Sequence, residues 1–323
     1  MKIILLITVF VGFFISNQVF AEVKKTEKVK IKIGWQVPWA IQGHLVQVLK
    51  KTDILAKNGI EAEFIGKIAG PELNELAMGD QVDMILTADQ PASVLFMKSP
   101  NWLGVSRLMY NRTSTYVPLK SKINAVSDLK DKQVGVPFGT AAQRIIVEAI
   151  QDNKVTSVKF VNLGMLEHMP LIERAKAVDE KWGEFDALSG FDPIPALLEA
   201  KNKVKTIHKG KVCALVLVNK NFLEKNKTFA KQFIKSLSEA YEYYAKNKVQ
   251  VNAWFAEEAK LAGASDEVFE IAAEYEPNLK KKAKIRLKFN DEDFELIQKA
   301  ADFVGKANNK TIKIKDFVTN TYQ

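Results

Sequence analysis

Cysteine and histidine are scarce in this sequence of 323 residues, which has one cysteine and three histidines. A single thiol forms no internal disulfide, and Cys213 lies inside the apolar run 212–218, a setting typical of a buried, inert side chain. His44, His168 and His208 lack the four-residue spacing of a local zinc motif. The sequence therefore predicts no disulfide, no metal site and no cysteine-based catalysis.

The common motifs of nucleotide binding and hydrolysis are also absent. The sequence contains no G-x-G-x-x-G, no G-x-x-x-x-G-K-[ST] and no G-x-S-x-G. These absences argue against a dinucleotide-binding protein, a P-loop protein and a serine hydrolase. We therefore expect no bound cofactor and no enzymatic activity.

Long blocks of like charge are few. The formal charge of +9 comes from 47 Lys and Arg against 38 Asp and Glu. The lysines are scattered among acids without aromatic residues between them, which indicates a solvated surface that mildly attracts anions. Nucleic acid is not an expected partner.

The one long apolar run stands at the beginning of the chain. Lys2 precedes an apolar stretch over residues 3–15, and Val19-Phe20-Ala21 follows a short polar segment. The stretch is shorter than the roughly 20 residues that span a bilayer. This pattern predicts a signal peptide over residues 1–21, cleaved after Ala21. With no cysteine beside the cleavage site, we expect a soluble protein of the bacterial periplasm.

The rest of the chain has a globular composition and room for roughly two domains of about 150 residues. Strand and helix patterns alternate three times from residue 30 to the helix that begins after residues 88–91. Such βα units predict an α/β fold with a mostly parallel sheet, and ligands bind outside the carboxyl ends of parallel strands. Residues 103–109, 115–119 and 212–218 are predicted as separate strands, residues 41–57 as one helix, and the chain from 221 onward as mostly helical.

The segment Asp128 to Gln143, "DLKDKQVGVPFGTAAQ", begins a second set of βα units. Together with "GPELNELAMGDQVDMILTADQPA" and a later Asp-Pro dipeptide, it resembles the periplasmic substrate-binding proteins of ABC importers. The resemblance is to the sulfonate, taurine, nitrate and thiamine-precursor branch, and it extends from residue 30 to about 226.

This resemblance implies a two-lobed type II periplasmic-binding-protein fold. Each lobe has a mostly parallel sheet flanked by helices, and two crossing segments form the hinge. We expect residues 22–113 to form the first part of lobe 1, 114–213 to form lobe 2, and 214–323 to return to lobe 1 as C-terminal helices. The implied partners are a small-molecule ligand and an ABC permease in the inner membrane, and the protein is expected to be a monomer.

The strand ends of both lobes supply the candidate ligand-binding residues, because helix N-termini there present free N–H groups. In lobe 1 they are Gln36, Trp39, Gly70, Thr87, Asp89 and Gln90. In lobe 2 they are Phe138, Gly139, Thr140, Ala141, Gly164, Met165, Ser189, Phe191 and Asp192.

Two kinds of ligand group are expected at these residues. Phe138 to Ala141 would hold an anionic group through an aromatic wall, backbone N–H groups and a hydroxyl. The resemblance suggests Asp192, in "GFDP", as the partner of a ligand amine. Asp89 either caps its helix or contacts the ligand. Arg112, near the expected hinge, meets either an anion or a carboxylate of the protein.

These residues favour an aliphatic sulfonate or taurine as the ligand, because a zwitterion satisfies both the helix N-termini and the two aspartates. A flat heterocycle, such as a thiamine pyrimidine precursor or riboflavin, is the alternative if Trp39, Phe138, Met165 and Phe191 form an aromatic slot. Nitrate and bicarbonate are further candidate ligands. A ligand-sensing adaptor for a receptor is the alternative function.

Overall fold

The computed structural model describes residues 28–176 and 180–323, so the predicted signal peptide lies outside the described residues. The strands are β1 (Val29–Gln36), β2 (Ile60–Lys67), β3 (Met84–Ala88), β4 (Trp102–Pro118), β5 (Gln133–Val136), β6 (Lys159–Asn162), β7 (Ala187–Phe191) and β8 (Val204–Asn219). The helices are α1 (Gln42–Lys51), α2 (Ile54–Lys57), α3 (Gly70–Met78), α4 (Asp89–Lys98), α5 (Ala141–Asp152), α6 (Met165–Arg174), α7 (Ile194–Ala200), α8 (Lys220–Lys225), α9 (Phe229–Lys246), α10 (Lys248–Glu258), α11 (Asp266–Ala272) and α12 (Asp291–Ala307).

The eight strands follow the order β2-β1-β3-β8-β4-β7-β5-β6. In the first lobe β1 pairs in parallel with β2 and β3, and in the second lobe β5 pairs in parallel with β6 and β7. The long strands β4 and β8 pair antiparallel between these two sets. The predicted α/β architecture of two parallel sets joined by two crossing segments is therefore confirmed.

The prediction of separate strands in the crossing segments was wrong. β4 runs without a break through residues 110–114, and β8 runs through Gly210. The polar composition of residues 110–114 suggested a loop, but their side chains are buried between the lobes. Gly210 lies inside β8, and its place in a strand is explained by packing: a Cβ there would lie 2.3 Å from Ile145 Cγ2 of α5.

The predicted helix over residues 41–57 is divided into α1 and α2. Thr52 adopts an extended conformation, and its hydroxyl donates to the Val48 carbonyl oxygen at 2.7 Å. A β-branched threonine that hydrogen-bonds back to its own helix satisfies a terminal carbonyl and helps the helix to end.

The C-terminal part of the chain covers the first lobe on both faces. Helix α9 packs on α1, and α12 packs on α4. The predicted lobe boundaries at 113/114 and 213/214 fall inside β4 and β8, where Thr113 pairs with Gly210. None of the helices in the described residues is long and apolar enough to cross a membrane.

Candidate functional site

A small cavity lies where the two lobes meet at the middle of β4 and β8. The empty space between its lining atoms is about 280 Å³, of which about 10 Å³ admits the centre of a water molecule. A cavity of that size holds about one water, so a larger solute requires the lobes to separate. The lining residues are Gln36, Trp39, Gly70, Ala88, Pro91, Asn111, Thr113, Thr140, Ala141, Phe191 and Val212.

Several predicted site residues come together here. Gln36, Trp39 and Gly70 approach from the first lobe, and Thr140, Ala141 and Phe191 from the second. The loop after β1 supplies Trp39, whose ring meets Phe191 edge-on at 6.4 Å. The carboxyl ends of the strands thus converge on one point, as the βα pattern predicted.

Thr87 and Gln90 are buried, and their chain neighbours Ala88 and Pro91 line the cavity. A Cβ on Gly70 would lie 2.4 Å from Pro91 Cγ and 3.3 Å from Thr87 Oγ1, so only glycine allows this approach of α3 to α4. Thr87 Oγ1 and Gln90 Oε1 have no hydrogen-bond partner in the described residues.

Four buried polar atoms on the lining of this cavity have no hydrogen bond in the described residues. They are Gln36 Oε1, Trp39 Nε1, and Nδ2 and Oδ1 of Asn111. A buried polar group without a partner costs about 1–3 kcal/mol. Such a cluster is expected where a polar ligand supplies the missing partners.

Asn111 and Thr113 were missed by the sequence analysis. Both lie in β4 and point from the hinge into the cavity. The signal was present as three polar residues, 111–113, in a stretch flanked by apolar strand patterns. It was misinterpreted because polar residues between two apolar runs usually indicate a turn.

Asp89 belongs to an ion pair between the lobes. Its Oδ2 accepts from Arg144 Nη2 at 2.9 Å and from the backbone N–H of Cys213 at 3.2 Å, while Oδ1 accepts from the Gln90 N–H at 2.8 Å. Burial raises the pKa of Asp89, and the Arg144 guanidinium opposes part of that rise. Asp89 was expected either to cap its helix or to contact the ligand. In the structure its carboxylate instead pairs with Arg144 on α5.

The predicted contact of Asp192 with a ligand amine needs correction. Arg112 Nε and Nη2 donate to the two carboxylate oxygens at 2.7 and 3.0 Å, and the Ala196 N–H donates to Oδ1 at 3.0 Å. Arg112 also donates to Glu199 at 2.8 Å. Asp192 is completely buried with these partners and does not line the cavity. Arg112 was expected to meet either an anion or a protein carboxylate, and in the structure it donates to protein carboxylates.

The four residues at the start of α5 divide into two groups. Thr140 and Ala141 line the cavity, at a helix N-terminus where the first N–H groups have no intrahelical partner. The Thr140 hydroxyl donates to the Pro137 carbonyl oxygen at 2.7 Å, so toward a ligand it serves as an acceptor. Phe138 is 44% exposed and forms no aromatic wall. The Gly139 N–H donates to Gln143 Oε1 at 2.8 Å.

The remaining predicted residues have structural contacts instead. The Gly164 N–H donates to Glu167 Oε2 at 2.7 Å, which caps α6. Met165 packs against Gly190, where a Cβ would lie 2.8 Å from its sulfur. Ser189 accepts from the Thr115 hydroxyl at 3.1 Å in the sheet. None of the three lines the cavity.

The site as a whole is a small cavity lined by neutral residues, with two arginines nearby that each pair with a carboxylate. In the part of the chain that the structure describes, the lining includes no histidine, cysteine or carboxylate. An interlobe cavity with a few polar groups among apolar ones is typical of two-lobed α/β binding proteins.

Comparisons with known proteins agree with this class. The family model NMT1/THI5 like matches residues 56–250, more than half of the chain. The chain therefore belongs to the NMT1/THI5-like family. A search of curated proteins finds no match.

Solved structures share the fold at low sequence identity. The alkanesulfonate-binding protein SsuA from Xanthomonas axonopodis pv. citri, bound to MOPS, has 17% identity and a TM-score of 0.71 over 91% of this chain and 99% of that one. The periplasmic aliphatic sulphonate binding protein SsuA from Escherichia coli has 19% identity and a TM-score of 0.72 over 90% and 92%. The desulfurization enzyme DszB has 12% identity and a TM-score of 0.61 over 90% and 97%. The predicted resemblance to periplasmic substrate-binding proteins and the predicted fold class are confirmed.

Proposed function

We propose that this protein is the periplasmic solute-binding component of an ABC importer. It captures a small alkanesulfonate between its lobes and delivers it, as a monomer, to a permease in the inner membrane. The observation that carries the proposal is the group of unpartnered polar atoms on Gln36, Trp39 and Asn111 in the lining of one interlobe cavity.

The polar groups of the cavity suit the oxygens of a sulfonate. Trp39 Nε1, Asn111 Nδ2 and the Thr87 hydroxyl are donors without partners, and the N-terminus of α5 adds backbone N–H groups and a favourable dipole. Neutral donors bind an anion without needing a free cation. Ala88, Pro91, Val212 and Phe191 offer an apolar wall for a short alkyl chain. The two SsuA structures named above support the same ligand class.

A plain alkanesulfonate fits this site better than taurine does. A taurine ammonium is bound most strongly by a free carboxylate, and Asp89 and Asp192 each pair with an arginine. In the described residues no carboxylate lines the cavity. The expected order of affinity is therefore ethanesulfonate above taurine.

A flat heterocycle is the second candidate ligand, because Trp39 and Phe191 both reach the cavity. Their planes are inclined at 72°, so they form a corner and not a parallel slot. A pyrimidine would stack on one ring only. This geometry ranks the heterocycle below the sulfonate.

The relationship to DszB does not extend to catalysis by a thiol. Cys213 is fully buried, and burial raises the pKa of its thiol well above the usual value. A thiol in that state is a poor nucleophile. We therefore propose binding and transport, and not desulfurization.

A thermal-shift and calorimetry screen of ligand-stripped mature protein tests the ligand class. The panel contains ethanesulfonate, butanesulfonate, taurine, nitrate, bicarbonate, hydroxymethylpyrimidine, thiamine and riboflavin. We expect alkanesulfonates to give the largest shift, since a ligand at a hundred times its Kd adds about 2.7 kcal/mol of stability. Binding of ring compounds alone would reject the sulfonate and keep the binding role.

Two tryptophan variants show whether the ligand occupies this cavity. Trp39→Phe removes the indole N–H and should weaken sulfonate binding by about tenfold, corresponding to a hydrogen bond to a charged group of about 1.5 kcal/mol. Trp182→Phe is the matched control, because Trp182 is buried against Tyr116 and lies outside the cavity. Equal effects of the two variants would place the ligand elsewhere.

Growth of the source bacterium separates import from sensing. Deletion of the gene should abolish growth on ethanesulfonate as the only sulfur source and leave growth on sulfate unchanged. Unchanged growth on ethanesulfonate would favour a receptor adaptor over an importer component.

A further inference from the structure

The loop between β1 and α1 contains a rare backbone turn at Ile41. Ile41 has φ 67° and ψ −57°, and the Gln42 N–H donates to the Ala40 carbonyl oxygen at 2.9 Å. These values and this bond define a classic γ-turn, which is strained. A β-branched residue at positive φ adds to the cost, and such strain persists only where the surroundings impose it.

Two side chains of α1 impose this conformation. His44 Nδ1 accepts from the Ile41 N–H at 3.0 Å. Gln42 Oε1 accepts from the Gln36 N–H at 2.7 Å, and its Nε2 donates to the Leu86 carbonyl oxygen at 3.1 Å. His44 stands at the third helical position, where glutamate or glutamine usually accepts from the N-cap N–H in a capping box.

The ring of His44 is itself fixed by aromatic packing. Its centroid lies 4.9 Å from that of Tyr244, 4.2 Å from Phe255 and 4.7 Å from Phe269. Burial lowers the pKa of His44 to about 3, so the imidazole is neutral at physiological pH. A neutral imidazole that accepts at Nδ1 carries its proton on Nε2. At physiological pH, Nδ1 is therefore available to accept from the Ile41 N–H.

The turn connects these side chains to the cavity. The Trp39 carbonyl oxygen accepts from the Gly43 N–H at 2.9 Å, directly across the turn. The Trp39 ring lines the cavity with an unpartnered Nε1. The Ala40 N–H donates to the Asp192 carbonyl oxygen in the opposite lobe at 3.2 Å. A change in the turn would displace the Trp39 indole and this contact between the lobes.

We propose that His44 is a positioning residue for the binding site: by accepting from the Ile41 N–H it holds the strained γ-turn and fixes the Trp39 indole N–H at the cavity. The effect on ligand affinity rests on the proposed function, whereas the effect on the turn does not. His44 contacts no ligand and acts only through Ile41 and Trp39.

Ligand-free NMR of ¹⁵N-labelled variants tests the positioning. In His44→Phe the ring is kept and the acceptor is lost, so exchange of the Ile41 amide should accelerate at least tenfold and the Trp39 indole signal should shift or broaden. His44→Gln restores an acceptor at the capping-box position and should keep both signals near wild type. His168→Phe, a buried histidine beside Tyr116 and outside the cavity, is the control and should leave both signals unchanged.

Two results would overturn the proposal. One is wild-type behaviour of both signals in His44→Phe. The other is loss of the Trp39 signal in a folded His44→Gln protein, which decides the question even if His44→Phe does not fold.

Ethanesulfonate affinity adds the functional consequence. We expect His44→Phe to bind about tenfold more weakly and His44→Gln and His168→Phe to bind as wild type does. An unchanged affinity in a folded His44→Phe protein would overturn the link to binding. Failure of the wild type to bind any panel compound would reject the proposed function, and the ligand-free signals would still decide the positioning.

Discussion

Asn111 has the most unsatisfied side chain at the cavity. It is completely buried, and neither its Nδ2 nor its Oδ1 has a partner in the described residues. An amide held in this way offers a ligand one acceptor and up to two donors. At the residue scale, the proposed binding site is marked by buried polar atoms that have no hydrogen-bond partner in the described residues.

Replacing Asn111 with alanine should separate binding from stability. Because the side chain has no protein hydrogen bond to lose, we expect the free energy of unfolding to change by less than about 1 kcal/mol, while ethanesulfonate binding weakens at least tenfold. Asn252→Ala is the contrasting control, since Asn252 bonds to Tyr244 at 2.9 Å and to Asp266 at 2.7 Å. It should lose stability and keep affinity, as measured by urea unfolding and calorimetry. The reverse pattern would remove Asn111 from the site.

His168 should make stability depend on pH. Burial lowers its pKa to about 4, whereas the unfolded chain has a histidine pKa of about 6.5. Between these values the unfolded chain binds a proton that the native protein does not. The stability contribution is therefore complete above pH 6.5 and lost as pH falls toward 4, by about 3 kcal/mol.

Urea unfolding of wild type and His168→Gln at pH 7, 5.5 and 4.5 measures this contribution. The variant should show the weaker loss of stability at low pH, because it lacks the titrating group. Parallel pH profiles would mean that the pKa of His168 is not lowered in the native protein.

Helices α4 and α5 meet across the lobes through one ion pair. Asp89 at the start of α4 and Arg144 on α5 are almost completely buried, and Glu148 is a second, partly exposed partner of the arginine. Removing one partner of a buried pair leaves the other charge without compensation. At the element scale this pair fixes how the two helix N-termini that border the cavity face each other.

Asp89→Asn should destabilise the protein by about 3 kcal/mol or more, because it leaves Arg144 buried without its main partner. Glu148→Gln removes the exposed partner of the same arginine and should cost less than about 1 kcal/mol. The double variant Asp89→Asn/Arg144→Met should recover part of the loss. Urea unfolding of all three variants checks the prediction. An equal loss of unfolding free energy in the two single variants would contradict it.

The whole molecule is two lobes joined by β4 and β8, with a cavity too small for its proposed ligand until the lobes separate. Gly139 of the second lobe lies against Pro71 of the first, and a Cβ on Gly139 would lie 3.1 Å from Pro71 Cγ. Gly139 also has φ +75°, which disfavours any other residue. A side chain at this position would therefore act as a wedge: it would contact Pro71 and keep the lobes from approaching as closely.

Gly139→Ala should weaken ligand binding by preventing full closure, and small-angle scattering with ethanesulfonate should show less compaction than in wild type. Gly183→Ala carries a similar backbone strain at φ +61°, but no atom of the described residues lies within 4 Å of the added Cβ. It should lose a comparable amount of stability, about 1 kcal/mol, with affinity unchanged. A comparable loss of affinity in both variants would attribute the effect to strain and not to a wedge.

Local periodicity in the sequence by itself determined the βα units, the helical C-terminal part and the α/β class. Alternating and helical hydrophobic patterns show which face of a strand or helix is buried. These patterns can be recognised in a stretch of about ten residues, without knowledge of distant contacts. The same logic found Gln36, Trp39, Gly70, Thr140, Ala141 and Phe191, because the ends of parallel strands meet at one edge of the sheet.

Only the tertiary structure decided which polar residues face the cavity. Arg112 and Arg144 lie far along the chain from Asp192 and Asp89, yet each occupies a carboxylate that the sequence left free for a ligand. Asn111 was hidden in a stretch that resembled a turn, and His44 supports a strained turn at Ile41. Pairing of charges and satisfaction of buried hydrogen bonds depend on contacts between distant segments, and no local pattern records those contacts.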